Sequence, residues 1–117
     1  MTTRIEQMQD RVVRIKKELS ALGDMRPGAL SMQYNVCGKA GCRCKNAVEP
    51  KKHGPYYQLS YTHKGKSTTE FVKKPMVAEA RRHLRAYAKF RRLTEEWVDL
   101  SLRISKARAK KPNPRSG

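Results

Sequence analysis

Residues 37–44, CGKAGCRC, and residues 53–55, HGP, form the stretch around which the rest of the chain is organised. All three cysteines of the protein, Cys37, Cys42 and Cys44, lie in it, and His53 follows at a distance that one loop can close. Three thiolates and one imidazole make a complete tetrahedral ligand set for Zn²⁺. The glycines between the cysteines allow the sharp backbone that such spacing requires. The pattern therefore predicts a structural zinc site with these four ligands.

Two alternatives stay open for this stretch. His63 is a weaker candidate for the fourth ligand, because it falls in the loop of a predicted hairpin. The three cysteines can also be reduced structural residues beside an unrelated surface histidine. A site with four protein ligands leaves no position for water or substrate, so the predicted zinc is structural rather than catalytic.

Composition limits the fold and the class of partner. A chain of 117 residues, of which 38% are hydrophobic, predicts a single domain with a small core. Its formal net charge of +17 favours a polyanionic partner, and nucleic acid is the partner expected. The alternative is a soluble basic surface without a dedicated partner. No apolar signal region or membrane segment is evident, and the odd cysteine count favours a reducing compartment, so we expect a cytoplasmic protein that does not contact membranes.

Two long helices are predicted from heptad patterns. The first covers residues 3–22, with Thr3 and Glu6 as a capping box and Gly23 as a left-handed C-terminal cap. The second covers residues 75–109 and begins at Pro75. The two heptad seams match in length, so the helices are expected to pack antiparallel. Their apolar positions are Ile5, Met8, Val12, Ile15, Leu19 and Leu22 in the first, and Phe90, Leu93, Trp97, Leu100, Ile104 and Ala107 in the second.

Residues 29–72 predict a three-stranded antiparallel sheet whose first connection is the zinc loop. Apolar residues alternate with polar ones from Leu30 to Val36, which is typical of a half-buried strand. The next two strands are expected to form a hairpin with the three-residue loop 63–65. In that register Tyr57 pairs with Phe71 on an apolar face, which the start of the second helix covers. A two-residue turn at residues 64–65 would pair Leu59 with Glu70 and mix the faces, so the first register is preferred.

The fold class expected is therefore α+β, with a small three-stranded antiparallel sheet and a zinc-pinned loop, carried on an antiparallel pair of long helices. Residues 1–109 form the domain, and residues 110–117 are expected to be a disordered basic tail. The sequence shows neither a carboxylate pair nor a Ser–His–Asp arrangement at a recognisable spacing, so we do not expect an enzyme.

Basic residues cluster in the sheet region and along the second helix, where they are suited to phosphate contacts. Tyr56 is expected to face away from the core beside the polar side chains of Gln58, Ser60 and Thr62, nearest the bases of a nucleic acid. A solvated helix face is the alternative explanation for the helical arginines. The candidate nucleic-acid-binding residues are Lys39, Arg43, Lys45, Lys51, Lys52, Tyr56, Lys64, Lys66, Arg81, Arg82, Arg85, Lys89 and Arg92.

The run CGKAGCRC, the run HGPYY at residues 53–57, the Gly65-Lys66 turn and the Phe90 segment of the second helix resemble an uncharacterised family of small prokaryotic proteins. The resemblance covers roughly residues 27–105. It implies a shared fold, a metal site and an association with mobile genetic elements, and it implies no activity.

The sequence thus favours a zinc-stabilised nucleic-acid-binding protein with an accessory or regulatory role, on DNA rather than RNA. The alternative is a protein-interaction adaptor that forms a homodimer, or binds a protein partner, through its heptad helices.

Overall fold

A computed structural model describes residues 3–35, 40–47 and 51–110. Its elements are helix α1, Arg4–Ser20; strand β1, Ala29–Asn35; a 3-10 turn, Arg43–Lys45; strand β2, His53–His63; strand β3, Lys66–Val72; a second 3-10 turn, Lys74–Met76; and helix α2, Val77–Ala109. The strands form one antiparallel sheet in the order β1-β2-β3. The α+β class, the sheet and the long C-terminal helix are therefore confirmed.

The described residues form two compact units. Residues 3–24 and 86–110 make the helical unit, and the remaining described residues between 25 and 85 make the sheet unit. Helix α2 contributes residues to both units. None of the helices in the described part of the chain has the length and apolar character that crossing a bilayer requires. The predicted basic tail lies outside the described residues except for Lys110.

The Thr3 half of the predicted capping box is present at the start of helix α1. Thr3 is the N-cap, and its Oγ1 accepts a hydrogen bond from the backbone N–H of Glu6 at 3.1 Å. The predicted left-handed cap at Gly23 is wrong, because the helix ends at Ser20 and the φ of Gly23 is not positive. The backbone N–H of Ala21 bonds to the carbonyls of both Lys17 and Glu18 instead. These bonds satisfy the last carbonyls without a left-handed residue.

The helical unit is held by the two predicted heptad seams. Every seam residue is buried or half-buried, and Ile15 and Leu93 are almost completely enclosed. The seams run antiparallel, since Lys89 lies 3.9 Å from Glu18 near one end and Met8 shares a groove with Arg103 and Ala107 near the other. The core residues of this unit are Met8, Ile15, Leu93, Leu100 and Ile104, with Ile5, Val12, Leu19 and Trp97 packed against them.

The hairpin of β2 and β3 has a two-residue turn, so the predicted three-residue loop is wrong. His63 pairs with Lys66, which leaves Lys64 and Gly65 as the turn. Both turn residues have positive φ, 51° and 78°. Positive φ at both central positions defines a type I′ turn, whose twist matches that of the flanking strands. The twist of the turn therefore prevailed over the apolar pairing that had favoured the other register.

The register gives the sheet two chemically different faces, here named the Leu59 face and the Phe71 face. Leu59 is fully buried and lies opposite Leu30 of β1 and Glu70 of β3. Phe71 lies opposite Gln58 and is 75% exposed, so the predicted pairing of Phe71 with Tyr57 on one covered face is wrong. The Leu59 face consists of Leu30, Met32, Tyr57, Leu59, Tyr61, Thr68, Glu70 and Val72. The Phe71 face consists of Ala29, Ser31, Gln33, Tyr56, Gln58, Ser60, Thr62, Ser67, Thr69 and Phe71.

Arg26 links the Leu59 face to the start of α2 within the sheet unit. Its backbone N–H donates to the carbonyl of His83 at 3.1 Å. Its guanidinium donates to Glu70 at 3.3 Å and lies 5.3 Å from the ring centre of Tyr61, whose hydroxyl also donates to Glu70 at 3.0 Å. These contacts satisfy the carboxylate that the mixed register places on an otherwise apolar face. On β1 this face is buried only partly, since Met32 is 54% exposed.

Candidate metal centre and nucleic-acid interface

The loop that contains the cysteines is folded by short backbone bonds. A 3-10 turn follows Cys42, and the N–H of Lys45 donates to the carbonyl of Cys42 at 3.0 Å. Gly41 precedes the turn with a φ of 79°, a conformation that glycine adopts without strain. The N–H of Lys51 then donates to the carbonyl of Arg43 at 2.9 Å. This last bond brings the chain back beside the turn just before β2 begins.

The start of β2 is packed closely against β1. Gly54 has a φ of 138°, and a Cβ at this position would lie 2.8 Å from the carbonyl oxygen of Gln33. No side chain fits that gap, which accounts for the glycine in the HGP run. Asn35 pairs with His53 after an irregularity in the β1 register. The strand pairing thus places the His53 ring at the loop end of the sheet.

Cys42, Cys44 and His53 come together at this end. Their ligand atoms all lie within 4.8 Å of one another, and the Sγ of Cys42 is 3.2 Å from the Nε2 of His53. Tetrahedral Zn²⁺ with ordinary bond lengths sets neighbouring sulfur and nitrogen ligands about 3.5–3.8 Å apart. The cluster is therefore close enough to hold a metal ion after small side-chain movements. Cys44 is buried, Cys42 is half-buried and His53 is exposed, so the cluster lies at the surface.

The structure has different consequences for the two other predicted ligands, Cys37 and His63. Cys37 lies outside the described residues, as does Lys39, so a fourth ligand from Cys37 stays a prediction. His63 is at the opposite end of β2 from His53, a separation of about 30 Å for ten residues of strand. It cannot share a metal with the cysteines, which removes it as the alternative ligand.

The predicted phosphate contacts that the structure describes are exposed, with one partial exception. In the sheet unit, Lys64 and Lys66 lie at the hairpin end of the sheet and Tyr56 lies in β2. The other predicted cations of this unit lie in the loop before β2 and in the first turns of α2. Lys89 in the helical unit is half-buried and lies 3.9 Å from Glu18, so part of its charge is already matched. The exposed residues of the set are Arg43, Lys45, Lys51, Lys52, Tyr56, Lys64, Lys66, Arg81, Arg82, Arg85 and Arg92.

Phe71 is the surface residue that sequence reasoning missed. The expected register placed it in the core, whereas the type I′ turn places it on the exposed face. The available signal was Gly65, since glycine readily adopts the positive φ of a two-residue hairpin turn. The two-residue turn was considered from the sequence, but the apolar pairing favoured the other register.

Fold and site together define an α+β protein in which two cysteines of the loop between two sheet strands meet a histidine at the start of the second strand. The family described as a domain of unknown function, DUF6788, matches residues 5–82. The match covers most of the chain, and the protein belongs to this family. No curated protein and no solved structure shows significant similarity to this chain.

Proposed function

We propose that this protein binds DNA as a zinc-stabilised accessory or regulatory factor and that the sheet unit supplies the binding surface. The observation that carries the proposal is the distribution of charge around the sheet. Between residues 25 and 85 there are thirteen Lys and Arg against three Asp and Glu, a formal excess of ten positive charges. Such an excess on a small unit attracts a phosphate backbone and binds it by counterion release.

Acidic residues do little to offset this charge. Of the three in the sheet unit, Glu70 is engaged by Arg26 and Tyr61, and Glu79 lies 3.9 Å from His83. Residues 1–24 and 86–117 contain seven Asp and Glu against fourteen Lys and Arg, so a larger share of the positive charge is matched there. Three of these carboxylates pair with arginines, at Arg11–Glu96, Arg91–Glu95 and Arg103–Asp99. The sheet unit is therefore the better site for a polyanion.

Zinc has a structural role in this proposal. Two thiolates and an imidazole are the soft and borderline ligands that Zn²⁺ selects, and Cys37 is proposed as the fourth ligand. The ion would tie the loop that follows β1 to the first residue of β2. Arg43 and Lys45 lie beside the cysteines in the chain, and their charges favour the thiolate form. The chemistry of this site is that of a closed structural centre, and we assign no catalytic residue.

DNA is preferred to RNA because the resemblance described in the sequence analysis implies an association with mobile genetic elements. The cations of the sheet unit would contact phosphates, and Tyr56 with the neighbouring polar side chains would lie nearest the bases. Backbone contacts of this kind position a protein without specifying sequence.

A salt titration tests the proposal. The zinc-loaded protein is expected to bind a labelled DNA oligonucleotide at about 50 mM salt and to lose at least ~10³-fold in affinity by about 200 mM if it neutralises ~6–10 phosphates. The double variant Lys64→Gln/Lys66→Gln should reduce the slope of log K against log salt. The matched control Lys17→Gln/Lys106→Gln, with two exposed lysines of the helical unit replaced, should leave the slope nearly unchanged. Absence of binding to any nucleic acid at the lower salt would contradict the proposal.

A second candidate function is that of an adaptor that dimerises through its helical unit. The heptad seams of the two helices pack against each other within the chain, so they are not available to a partner. Val13, Val98 and Leu102, however, remain at least half exposed. Val13 lines a groove together with Gln9, Val12, Lys16, Ser101, Ile104, Ser105 and Arg108. Sedimentation of the same sample separates the two candidates, since a dimer that binds no nucleic acid would favour the adaptor.

A further inference from the structure

The Phe71 face of the sheet combines an exposed aromatic ring with a surface that carries no charge. Phe71 is 75% exposed, more than any other large apolar side chain in the described residues. All side chains of this face, as defined above, are neutral. In a protein with a net charge of +17 this neutral face is unusual, and its lysine neighbours lie at the strand ends.

Tyr56 provides a second ring on the same face. The pairing of Tyr57 with Val72 and of Gln58 with Phe71 makes Tyr56 and Phe71 diagonal neighbours on adjacent strands. Diagonal residues of this kind have their backbones about 7–8 Å apart, within reach of long aromatic side chains. Tyr56 is 42% exposed. Both rings therefore lie on the same face, on neighbouring strands, and are open to solvent.

Hydroxyl groups occupy the other half of the face and bond to one another. The Oγ of Ser60 lies 3.2 Å from the Oγ1 of Thr69, and the Oγ1 of Thr62 lies 2.9 Å from the Oγ of Ser67. These cross-strand pairs keep this half of the face polar but uncharged.

We infer that the Phe71 face binds single-stranded DNA, with bases stacked on Phe71 and Tyr56 and phosphates held by lysines at the ends of the strands. This inference rests on the proposed function and specifies the form of DNA that is bound. The flat faces of bases are accessible in a single strand and are hidden in a duplex, so aromatic platforms select single strands. Lys64 in the hairpin turn and Lys73, two residues after Phe71, are exposed near the two ends of β3. Their charge complementarity with a phosphate backbone identifies the occupant as nucleic acid rather than an apolar partner.

The experiment compares affinities for three labelled oligonucleotides of one sequence at about 50 mM salt: single-stranded DNA, its duplex and the corresponding RNA. A length of about 16 nucleotides covers the site of one small β-sheet domain. The intact protein is expected to bind single-stranded DNA most tightly. Phe71→Ala should weaken that binding roughly tenfold, which corresponds to about 1.4 kcal/mol and is within the range for one stacked base. Phe71→Tyr keeps the ring and should retain the affinity, whereas Phe71→Leu should not.

The control is Leu102→Ala, which removes a comparably exposed apolar side chain from the helical unit and should change neither affinity nor Tm. Circular dichroism melting of each variant ensures that a loss of affinity is not a loss of fold. Equal affinity for the duplex together with an unaffected Phe71→Ala variant would overturn the inference while leaving the proposed function intact. Tighter binding of the RNA would overturn the assignment to DNA, and a dimer that depends on Phe71 would make the occupant a second copy of the chain. Absence of binding to all three oligonucleotides would reject the proposed function itself.

Discussion

At the residue scale, the ion pair between Arg11 and Glu96 differs from the others in the helical unit, because its two side chains form two hydrogen bonds. Arg11 donates from Nε and Nη2 to the two carboxylate oxygens of Glu96 at 2.7 and 2.8 Å. This two-point geometry is stronger and more directional than a single contact. The pair Arg91–Glu95, one position earlier on α2, has a single contact of 3.3 Å between side chains that are 60% and 71% exposed. Pairs of that kind contribute little to stability.

The hydrogen bonds from Arg11 hold the pKa of Glu96 below its ordinary value of 4.5. A carboxylate whose pKa is lowered in the folded state stabilises the protein at neutral pH and loses that contribution as the pH falls through the lowered pKa. We expect Glu96→Gln to lower Tm by a few degrees at pH 7, and the difference from the original protein to vanish in acid below the ordinary range of glutamate. Melting curves measured across this pH range check the expectation.

Glu95→Gln is the matched control for Glu96→Gln, because it removes the neighbouring carboxylate from the same helix. Its Tm should equal that of the original protein at both pH values. Arg11→Lys keeps the charge but loses the paired donors, so it should resemble Glu96→Gln. Equal Tm values for Glu95→Gln and Glu96→Gln would show that the two-point geometry adds nothing.

At the element scale, the hairpin turn decides which side chains reach solvent. A shift of one residue between paired strands moves each side chain to the opposite face. With the two-residue turn at Lys64 and Gly65, Phe71 is exposed and Glu70 joins Leu59. The surface chemistry of the whole sheet therefore follows from the backbone conformation of two residues.

Gly65→Ala is expected to destabilise the protein by about 1 kcal/mol, because a residue with a Cβ is strained at positive φ. The φ of Gly65 is 78°, and beyond its chain neighbours no atom lies within 4 Å of the position that the alanine Cβ would take, so the cost comes from the backbone alone. Urea unfolding followed by circular dichroism measures it, with an unchanged m value expected if the two states remain the same.

Gly23→Ala is the control for the turn variant, because Gly23 is equally open to solvent but does not have positive φ. It should be neutral or slightly stabilising through its effect on the unfolded chain. Equal destabilisation by the two substitutions would contradict a type I′ turn at residues 64–65.

At the scale of the whole molecule, a small core and a large positive charge both limit stability, so a bound metal would contribute substantially to the stability of the fold. Self-repulsion among like charges destabilises a compact state. Within the described residues of the sheet unit, the residues that are less than about a tenth exposed are Cys44, Leu59, Val77 and Ala80. One of these four is a proposed metal ligand, so we expect the fold of this unit to depend on the ion.

Purified protein is expected to contain about one zinc per chain, and His53→Ala should lower both zinc content and Tm, because a lost ligand weakens a structural site. His63→Ala is the matched control on the same strand and should retain zinc. Cys37→Ser tests the proposed fourth ligand and should resemble His53→Ala. Elemental analysis and melting curves check all three. Equal zinc content in the two histidine variants, or a protein without metal and with unchanged stability, would return the cysteines to a purely structural role.

Much of this molecule followed from local patterns in the sequence. The heptad spacing in both helices determined their packing face, because apolar residues at intervals of three and four lie on one side of a helix. The alternation along Leu30, Met32 and Tyr34 identified a strand, and the residue types Cys and His pointed to metal chemistry independently of any geometry. Cys42 and Cys44 were predictable as partners because only one residue separates them, so that a single turn carries both.

Tertiary structure decided what local patterns left open. His53 rather than His63 meets the cysteines, because strand pairing with Asn35 places it at the loop end of the sheet. Phe71 became a surface residue because the twist of the type I′ turn outweighed the apolar pairing that the sequence favoured. Hydrophobic periodicity shows which residues share a face of one helix or strand, but it does not determine how two strands pair. That pairing depends on turn geometry and on distant side chains such as Arg26, which forms an ion pair with Glu70.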